Sequence, residues 1–392
     1  MSAADHQAAT LLVFSDDWGR HPSSCQHLVK RLLDHHHVIW VNTIGMRPPR
    51  LDRQTLQRGL GKLTQWLTPR SAKTLPPAGA APQVLNPRMW PWMKSPWQRS
   101  LNDRLLVNQL RPVLESVPGP IVGVTTVPLA AGLIGRLPVE RWIYYCVDDF
   151  TQWPGLDGDT IRDQEIQLFR GCDEVVAASA HLYERALAAG CRASLLTHGV
   201  DFEHWTTAGE SVAECDSSTP KPLVLFFGLI DERLDREWLM KLDESLEAGS
   251  IHLLGPCQQS PASPQHRRVT IAPPLSYETL PAFARQADVL IMPYIDADVT
   301  RAMQPLKLLE YLATGKPVVV RDLPANRAWA DCLDLASTAE EFARLVRLRL
   351  ETGLPPNQAA ARARLVHESW DAKADVFRQT LLGLNSVATS AI

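Results

Sequence analysis

The stretch from Ala287 to Asp322, ADVLIMPYIDADVTRAMQPLKLLEYLATGKPVVVRD, constrains the fold more than any other part of the chain. Val289, Leu290, Ile291 and Met292 run apolar without alternation and stop at Pro293-Tyr294, as a strand buried on both faces of a parallel sheet does. A polar loop follows. The next helix is expected to begin near Gln304, with Pro305 in its first turn, where a missing N–H costs nothing, and Gly315 at its end. Another strand, Pro317 to Val320, starts almost at once.

That helix has about three turns. Leu308, Leu309, Leu312 and Ala313 fall on a face suited to packing on a sheet, with Lys307, Glu310 and Tyr311 nearer the other side. The i, i+3 spacing sets Lys307 beside Glu310. A helix N-terminus after a parallel strand attracts anions, because its first N–H groups lack intrahelical partners and its dipole end is positive. Lys307 adds a full charge there, and Glu310 can accept hydrogen bonds from vicinal hydroxyls such as those of a ribose. Together these pieces make a cradle for a nucleoside diphosphate. The plainer alternative is a helical ion pair worth about 0.2–0.5 kcal/mol.

The run PLKLLEYLATGKPVV, Pro305 to Val319, resembles the GT-B glycosyltransferases, specifically the family 4-like branch with enzymes of teichuronic-acid and exopolysaccharide assembly. The resemblance implies an α/β fold of two Rossmann-like parallel-sheet domains facing a central cleft, with a C-terminal helix returning to the first domain. It also implies that the run binds the diphosphate and ribose of a nucleotide-sugar, with Glu310 on the ribose. The donor-binding set expected on this basis is Gly228, Tyr294, Thr300, Arg301, Pro305, Leu306 and Glu310. One departure matters: the family usually carries a second glutamate eight positions before Glu310, where this chain has Ala302. Asp296, Asp298 or backbone groups would have to stand in for it.

A chain of 392 residues, 45% of them apolar, exceeds what one core usually holds. Two domains are expected: 1–207 on the acceptor side, with a basic, Trp-rich insertion at about 46–104, and 223–369 for the nucleotide-sugar. Residues 208–222 read as a polar linker and 370–392 as a crossover helix and tail. The formal charge of −3 gives no reason to expect a nucleic-acid partner. No apolar run approaches the roughly 20 residues of a membrane span, and the opening MSAADHQAAT lacks the blocks of a signal peptide. A cytoplasmic protein is expected, at most resting on the inner face of the membrane. Seven dispersed cysteines without a C-x-x-C pair read as reduced thiols, and His35-His36-His37 as a helix-to-strand connection ahead of a metal site.

The first half alternates apolar runs with helical patterns, and strands are expected at 11–14, 38–41, 121–124, 142–147, 174–177 and 194–196. Ligands of open parallel sheets bind beyond the carboxyl ends of the strands. After the first strand lies the turn-rich loop 15–24, where Trp18, Gly19 and His21 are candidates for acceptor contact, the alternative being an ordinary βα loop. After the fourth come Asp148 and Asp149, two carboxylates costly to bury without partners. Asp149 is the first choice for contacting the transferred sugar or orienting the acceptor hydroxyl; the alternative is that it holds loop amides. His198, in the H-G-V-D segment that resembles the family's interdomain edge, completes the acceptor-side set.

Between Met46 and Arg104, eleven Lys and Arg residues face only Asp52 and Asp103, interleaved with Trp66, Trp90, Trp92 and Trp97. This mixture suits a chain resting on an anionic bilayer. It equally suits a solvated excursion whose tryptophans pack on the first sheet.

The second domain opens with Leu223–Phe227 and Gly228, whose missing side chain lets the backbone approach a ligand; Arg233 is placed to reach phosphates. The resemblance also implies that Pro274, Leu275 or Tyr277, in the loop at the start of the following helix, lies near the base. Transfer from a nucleotide-sugar leaves a diphosphate that gains charge as the bond breaks, so fixed positive groups there favour the transition state. Lys307, Arg233 and the helix amides are assigned that work, with Asp149 as the third catalytic residue. No metal or other cofactor is expected, although Asp296-Ala297-Asp298 matches the D-x-D pattern of metal-dependent transferases. The co-substrate is expected to be a nucleotide-sugar, a UDP-sugar ahead of a GDP-sugar, and the acceptor a glycan or lipid-linked sugar in cell-surface polysaccharide assembly. Family resemblance further implies retention of anomeric configuration. The competing readings are a non-catalytic nucleotide- or glycan-binding protein, and a nucleotide-sugar epimerase or hydrolase of the same fold.

Overall fold

The structure, a computed structural model, describes residues 9–20, 23–43, 81–153, 155–207, 220–258 and 267–384. His21, the 46–80 part of the basic segment and most of the linker lie outside the described residues. The chain divides into two units, residues 1–197 with 373–392, and residues 198–372.

The first unit is built on a seven-stranded sheet, β1 (Thr10–Ser15), β2 (Val38–Asn42), β3 (Gln83–Leu85), β4 (Ile121–Thr125), β5 (Arg141–Cys146), β6 (Glu174–Ala177) and β7 (Ala193–Leu195), in the order β3-β2-β1-β4-β5-β6-β7. Every pairing is parallel. Helices α1 (Ser24–Leu32), α2 (Pro96–Leu114), α3 (Gly158–Gly171) and α4 (Ala180–Ala188) connect the strands. Because both faces of such a sheet are covered, the interior strands carry unbroken apolar runs, and every residue of β1 and β4 is buried. The segment read as an insertion ends inside this framework: Val84 pairs with Trp40, and Pro96 opens α2 at its first position. Its far end is therefore part of the sheet, an edge strand too short and too exposed to show an apolar run. Residues from Lys373 onward group with this unit, where Phe377 packs on Tyr145 with ring centroids 5.3 Å apart and Arg141 donates to the carbonyl of Thr380 at 3.3 Å.

In the second unit, α5 (Phe202–Thr207) precedes the strands β8 (Leu223–Phe227), β9 (Ser250–Leu254), β10 (Val269–Ala272), β11 (Val289–Met292), β12 (Val318–Arg321) and β13 (Asp334–Ala336). Their order is β10-β9-β8-β11-β12-β13, again all parallel. Between and after them run α6 (Arg236–Ser245), α7 (Leu280–Ala284), α8 (Asp298–Ala302), α9 (Leu306–Ala313), α10 (Pro324–Arg327), α11 (Ala339–Thr352) and α12 (Pro356–Ala361), while α13 (Trp370–Leu381) starts in this unit and from Lys373 belongs to the first. One apolar core runs through the unit, from Val200 and Trp205 to Leu365. The His198–Trp205 segment belongs here and not with the first unit, because Val200 pairs with Ser369 and the Trp205 ring stacks on Phe227 at 5.4 Å. Gly199 allows that pairing, since a Cβ there would press on the Trp370 ring at 2.9 Å.

Candidate functional site

The strand order of the second unit reverses between β8 and β11, the place where open parallel sheets bind ligands. Here the sheet opens. β8 pairs with β9 along its whole length, Leu223↔Ser250 to Phe227↔Leu254, but with β11 only at Val289↔Val224 and Leu290↔Leu225. The end of β8 thus leaves backbone groups without a strand partner on that side, and a buried peptide group must find one. Tyr311, from α9, supplies it: its hydroxyl accepts from the Phe227 N–H at 2.7 Å and donates to the Phe227 carbonyl at 2.8 Å. The hydroxyl is fully buried, and burial raises its pKa well above the usual tyrosine range, which keeps the proton it must donate.

Gly228 follows at once, with its N–H on the carbonyl of Leu254 at 3.0 Å. Its φ of +158° and the φ of +148° at Gly255 let the two loops touch, for a Cβ at Gly255 would collide with the carbonyl oxygen of Gly228. Beyond β11, Tyr294 is buried and pairs with Leu234, while Arg233 lies over its ring at 5.8 Å. Arg233 is nearly buried and bonded to Asp231 from both Nε, at 3.0 and 3.1 Å, and Nη2, at 3.0 Å. Its charge is paired with Asp231, and its Nη1 faces the Met303 sulfur at 3.9 Å.

The polar stretch after β11 is not a loop throughout but contains α8. The Thr300 hydroxyl donates to the carbonyls of Ile295, at 2.6 Å, and Ala297, at 2.9 Å, and accepts from the Ala297 N–H at 3.0 Å. Thr300 is therefore occupied in shaping the turn. Arg301 forks onto Asp296 at 2.5 and 2.8 Å, and that hydrogen bond holds the Asp296 carboxyl below its ordinary range. Ala302 is buried.

Helix α9 begins at Leu306 with Pro305 as its N-cap, one position earlier than the first turn, so no side chain caps the end. Its first amides point out of the helix without a capping side chain, the condition for anion binding. Lys307 Nζ lies 2.9 Å from Glu310 Oε2 and 6.0 Å from the Phe227 ring centroid. Glu310 is buried and Lys307 partly exposed. At the other end Gly315 takes φ +74°, and the buried Arg362 donates to the carbonyls of Leu312 at 3.3 Å, Lys316 at 2.8 Å and Cys332 at 2.8 and 2.9 Å. Burial lowers the Arg362 pKa to about 10, so it still carries its proton. Arg362 therefore complements the negative end of the helix dipole. Sequence reading missed both Tyr311 as a bridge and Arg362 as a cap; the only signal was an arginine in an apolar setting.

The acceptor-side candidates lie in the first unit, His198 excepted. Trp18 donates its N–H to Asn42 at 3.0 Å and sets its ring edge-on to Trp40 at 4.7 Å. Gly19 has φ +78° and donates to Gln26 Oε1 at 3.0 Å. Asp16 organises this loop by accepting from Ser15, Ser23 and Gln26 at 2.8 to 2.9 Å. His198 is buried with its ring 6.4 Å from Trp370.

Asp149 is buried at the carboxyl end of β5 and caps the turn Phe150–Gln152, accepting from the Thr151 N–H at 3.1 Å and hydroxyl at 2.6 Å. Arg185 pairs with it at 2.8 Å and with Glu165 at 2.6 Å, while Tyr144 donates to Glu165 at 2.9 Å. Burial opposes the Asp149 charge, but the Thr151 hydroxyl and Arg185 outweigh it and hold the carboxyl below its usual range. Glu165 goes the other way, raised by burial that Arg185 only partly offsets. The carboxylate singled out from sequence holds a loop amide, as its alternative reading had it, and is joined to Arg185, a partner that no local pattern indicates. Likewise His36 Nδ1 faces the Ala9 carbonyl at 3.0 Å.

Residues 221–348, within the second unit, match the family described as glycosyl transferases group 1. The two parallel-sheet units have the GT-B fold. Among curated proteins, the chain is 26% identical over 176 residues to TuaH of Bacillus subtilis (strain 168), assigned to teichuronic acid biosynthesis as a glycosyltransferase. That match takes in 42% of this chain and 44% of the relative, less than half its length. Among solved structures, sucrose-phosphate synthase of Thermosynechococcus elongatus superposes with a TM-score of 0.69 at 15% identity, over 96% of this chain and 99% of that one. Anabaena HepE in complex with UDP and glucose gives 0.68 at 12% identity, over 96% and 100%.

Proposed function

We propose that the protein transfers a sugar from a nucleotide diphosphate sugar, a UDP-sugar ahead of a GDP-sugar, to a glycan or lipid-linked acceptor in cell-surface polysaccharide assembly. The observation that carries this reading is the opening between β8 and β11, where the uncapped start of α9 brings Lys307 and the buried Glu310 beside the Gly228 turn. A diphosphate there would meet the α9 amides and Lys307, and a ribose the Glu310 carboxylate. As the glycosidic bond breaks, the phosphate oxygens gain charge against groups already fixed in place, which lowers the barrier without reorganisation. The glycosyltransferase domain match and the UDP bound to HepE, a protein of the same fold, support the choice of donor.

Retention without a metal belongs to the same reading. The leaving phosphate takes the acceptor proton, so no side chain is required as a strong base. Asp296 of the D-x-D pattern is held by Arg301, which favours Lys307 over a metal as the source of positive charge. Asp149 acts in this account through the loop it shapes, as a positioning group of the first unit.

Calorimetric titration with UDP, GDP and an unrelated nucleotide, set against Lys307→Ala and Glu310→Ala, tests the donor site. UDP should bind the parent and lose about tenfold or more in affinity in each variant, the worth of one charge-assisted hydrogen bond. Absence of binding by any nucleotide in the folded parent would remove the donor site. Transfer of sugar to an acceptor, followed by the anomeric form of the product, separates a transferase from a binding protein and from an epimerase or hydrolase.

A further inference from the structure

Between β3 and α2 the chain carries an outward strip. Met89 is buried and Pro91 and Met93 half-buried, whereas Arg88, Trp90, Trp92 and Lys94 are exposed, the two-residue alternation of an extended segment lying on a core. Two side-chain amides of α2 fix it. Gln109 accepts from the Arg88 N–H at 2.8 Å and donates to its carbonyl at 2.9 Å. Asn102 does the same for Trp90 at 2.6 and 3.0 Å. The outward face is thus preformed and does not depend on where the side chains choose to go.

Trp97, in the first turn of α2, completes a group of three indoles, with ring centroids 5.3 Å apart for Trp90 and Trp92 and 6.4 Å for Trp90 and Trp97. They are 38%, 39% and 60% exposed. Three tryptophans together in water mark a surface built for contact. Arg88 and Lys94 flank them, and Arg99 reaches back to the carbonyls of Met93 and Lys94 at 3.2 and 2.8 Å. No acidic residue occurs between 81 and 102, and Asp103 faces Arg136 at 3.5 Å.

We propose that this face, Arg88, Trp90, Trp92, Lys94 and Trp97, binds an anionic lipid bilayer. Indoles settle at the headgroup level, and cations that no acid among the described residues opposes are drawn to the surface potential of anionic lipid. The ring geometry argues against a sugar platform: the indoles are inclined by 53° and 47° to one another, so they present no common flat face to a pyranose. The surface stands on the first unit alone; its use, bringing a lipid-linked acceptor to the enzyme, rests on the reading above.

The test is co-sedimentation of the full chain with vesicles of phosphatidylcholine mixed with phosphatidylglycerol, against phosphatidylcholine alone, at low and high salt. The parent should sediment with the anionic vesicles at low salt and be released by high salt. Replacing the indoles (Trp90→Ala, Trp92→Ala, Trp97→Ala) or reversing the charges (Arg88→Glu, Lys94→Glu) should each lower partitioning about tenfold or more. Both variants alter exposed side chains and leave the Asn102 and Gln109 clamps, so an unchanged melting profile serves as the folding control. Failure of the parent to sediment, unchanged sedimentation of the variants, or capture by neutral polysaccharide or single-stranded nucleic acid in place of vesicles would overturn the proposal. Vesicle binding without UDP binding would sink the donor site alone, and UDP binding without vesicle binding the surface alone.

Discussion

Tyr311 shows how one atom can hold a site open. Its hydroxyl does the work of the strand that is missing beside the end of β8, and Tyr311→Phe would leave both the N–H and the carbonyl of Phe227 unpaired in a buried place. The expected loss is about 1–3 kcal/mol in urea unfolding, the cost of orphaned buried polar groups. UDP affinity should fall with it, because the Phe227–Gly228 turn would no longer be tied to α9. A variant as stable as the parent, with the same affinity, would show that the hydroxyl is idle. Asp149 has a different signature. Its pKa is depressed in the folded state, so its contribution to stability is fully present above the unfolded value of about 3.9 and is lost as pH falls through the lower folded value. Asp149→Asn should therefore be destabilised most near neutrality, and the gap to the parent should narrow on acidification. Chemical denaturation at a series of pH values measures this, and a gap independent of pH would mean that charge is not what Asp149 contributes.

At the scale of elements, helix α9 is held by its two ends more than by its propensity, since eight residues make a marginal helix alone. Arg362 closes its carboxyl end on three carbonyls. Arg362→Lys keeps a charge but not the planar fork, so it should lower stability by about 1–2 kcal/mol, read as a lower denaturation midpoint. An unchanged midpoint would show that the fork geometry is not needed. The strands were legible because burial on both faces writes itself as an apolar run; β8 and β11 begin and end where those runs do. β3 and β13 were not: each is a three-residue edge strand, β3 without a buried residue and β13 with Ala336 alone buried. Helix α8 escaped for another reason: the Thr300 hydroxyl, not an apolar stripe, makes it turn. The Lys307–Glu310 pair, on which the proposed donor site rests, was readable as local spacing along α9. The Arg185 partner of Asp149 was not, because that ion pair is set where helix α4 meets the loop after β5 and leaves no trace in either segment.

The whole molecule carries two units with separate cores, one of which holds the proposed donor site. A ligand that binds only the folded form of one unit stabilises that unit by mass action, about 2.7 kcal/mol at a hundredfold excess over its Kd. For a unit of this size that is a rise of several degrees, about 5–10 °C, in the melting temperature. Scanning calorimetry of the full chain should then resolve two transitions, as expected when cores are separate and a single two-state step does not apply. UDP should move one and leave the other where it was. Lys307→Ala should abolish that movement without erasing either transition, although the transition of that unit should itself fall, because the buried Glu310 loses its ion-pair partner. If UDP shifted both transitions equally, the two cores would have to unfold as one cooperative body. If it shifted neither, the opening beside β8 would be a feature of packing, and the nucleotide would have to bind elsewhere or not at all.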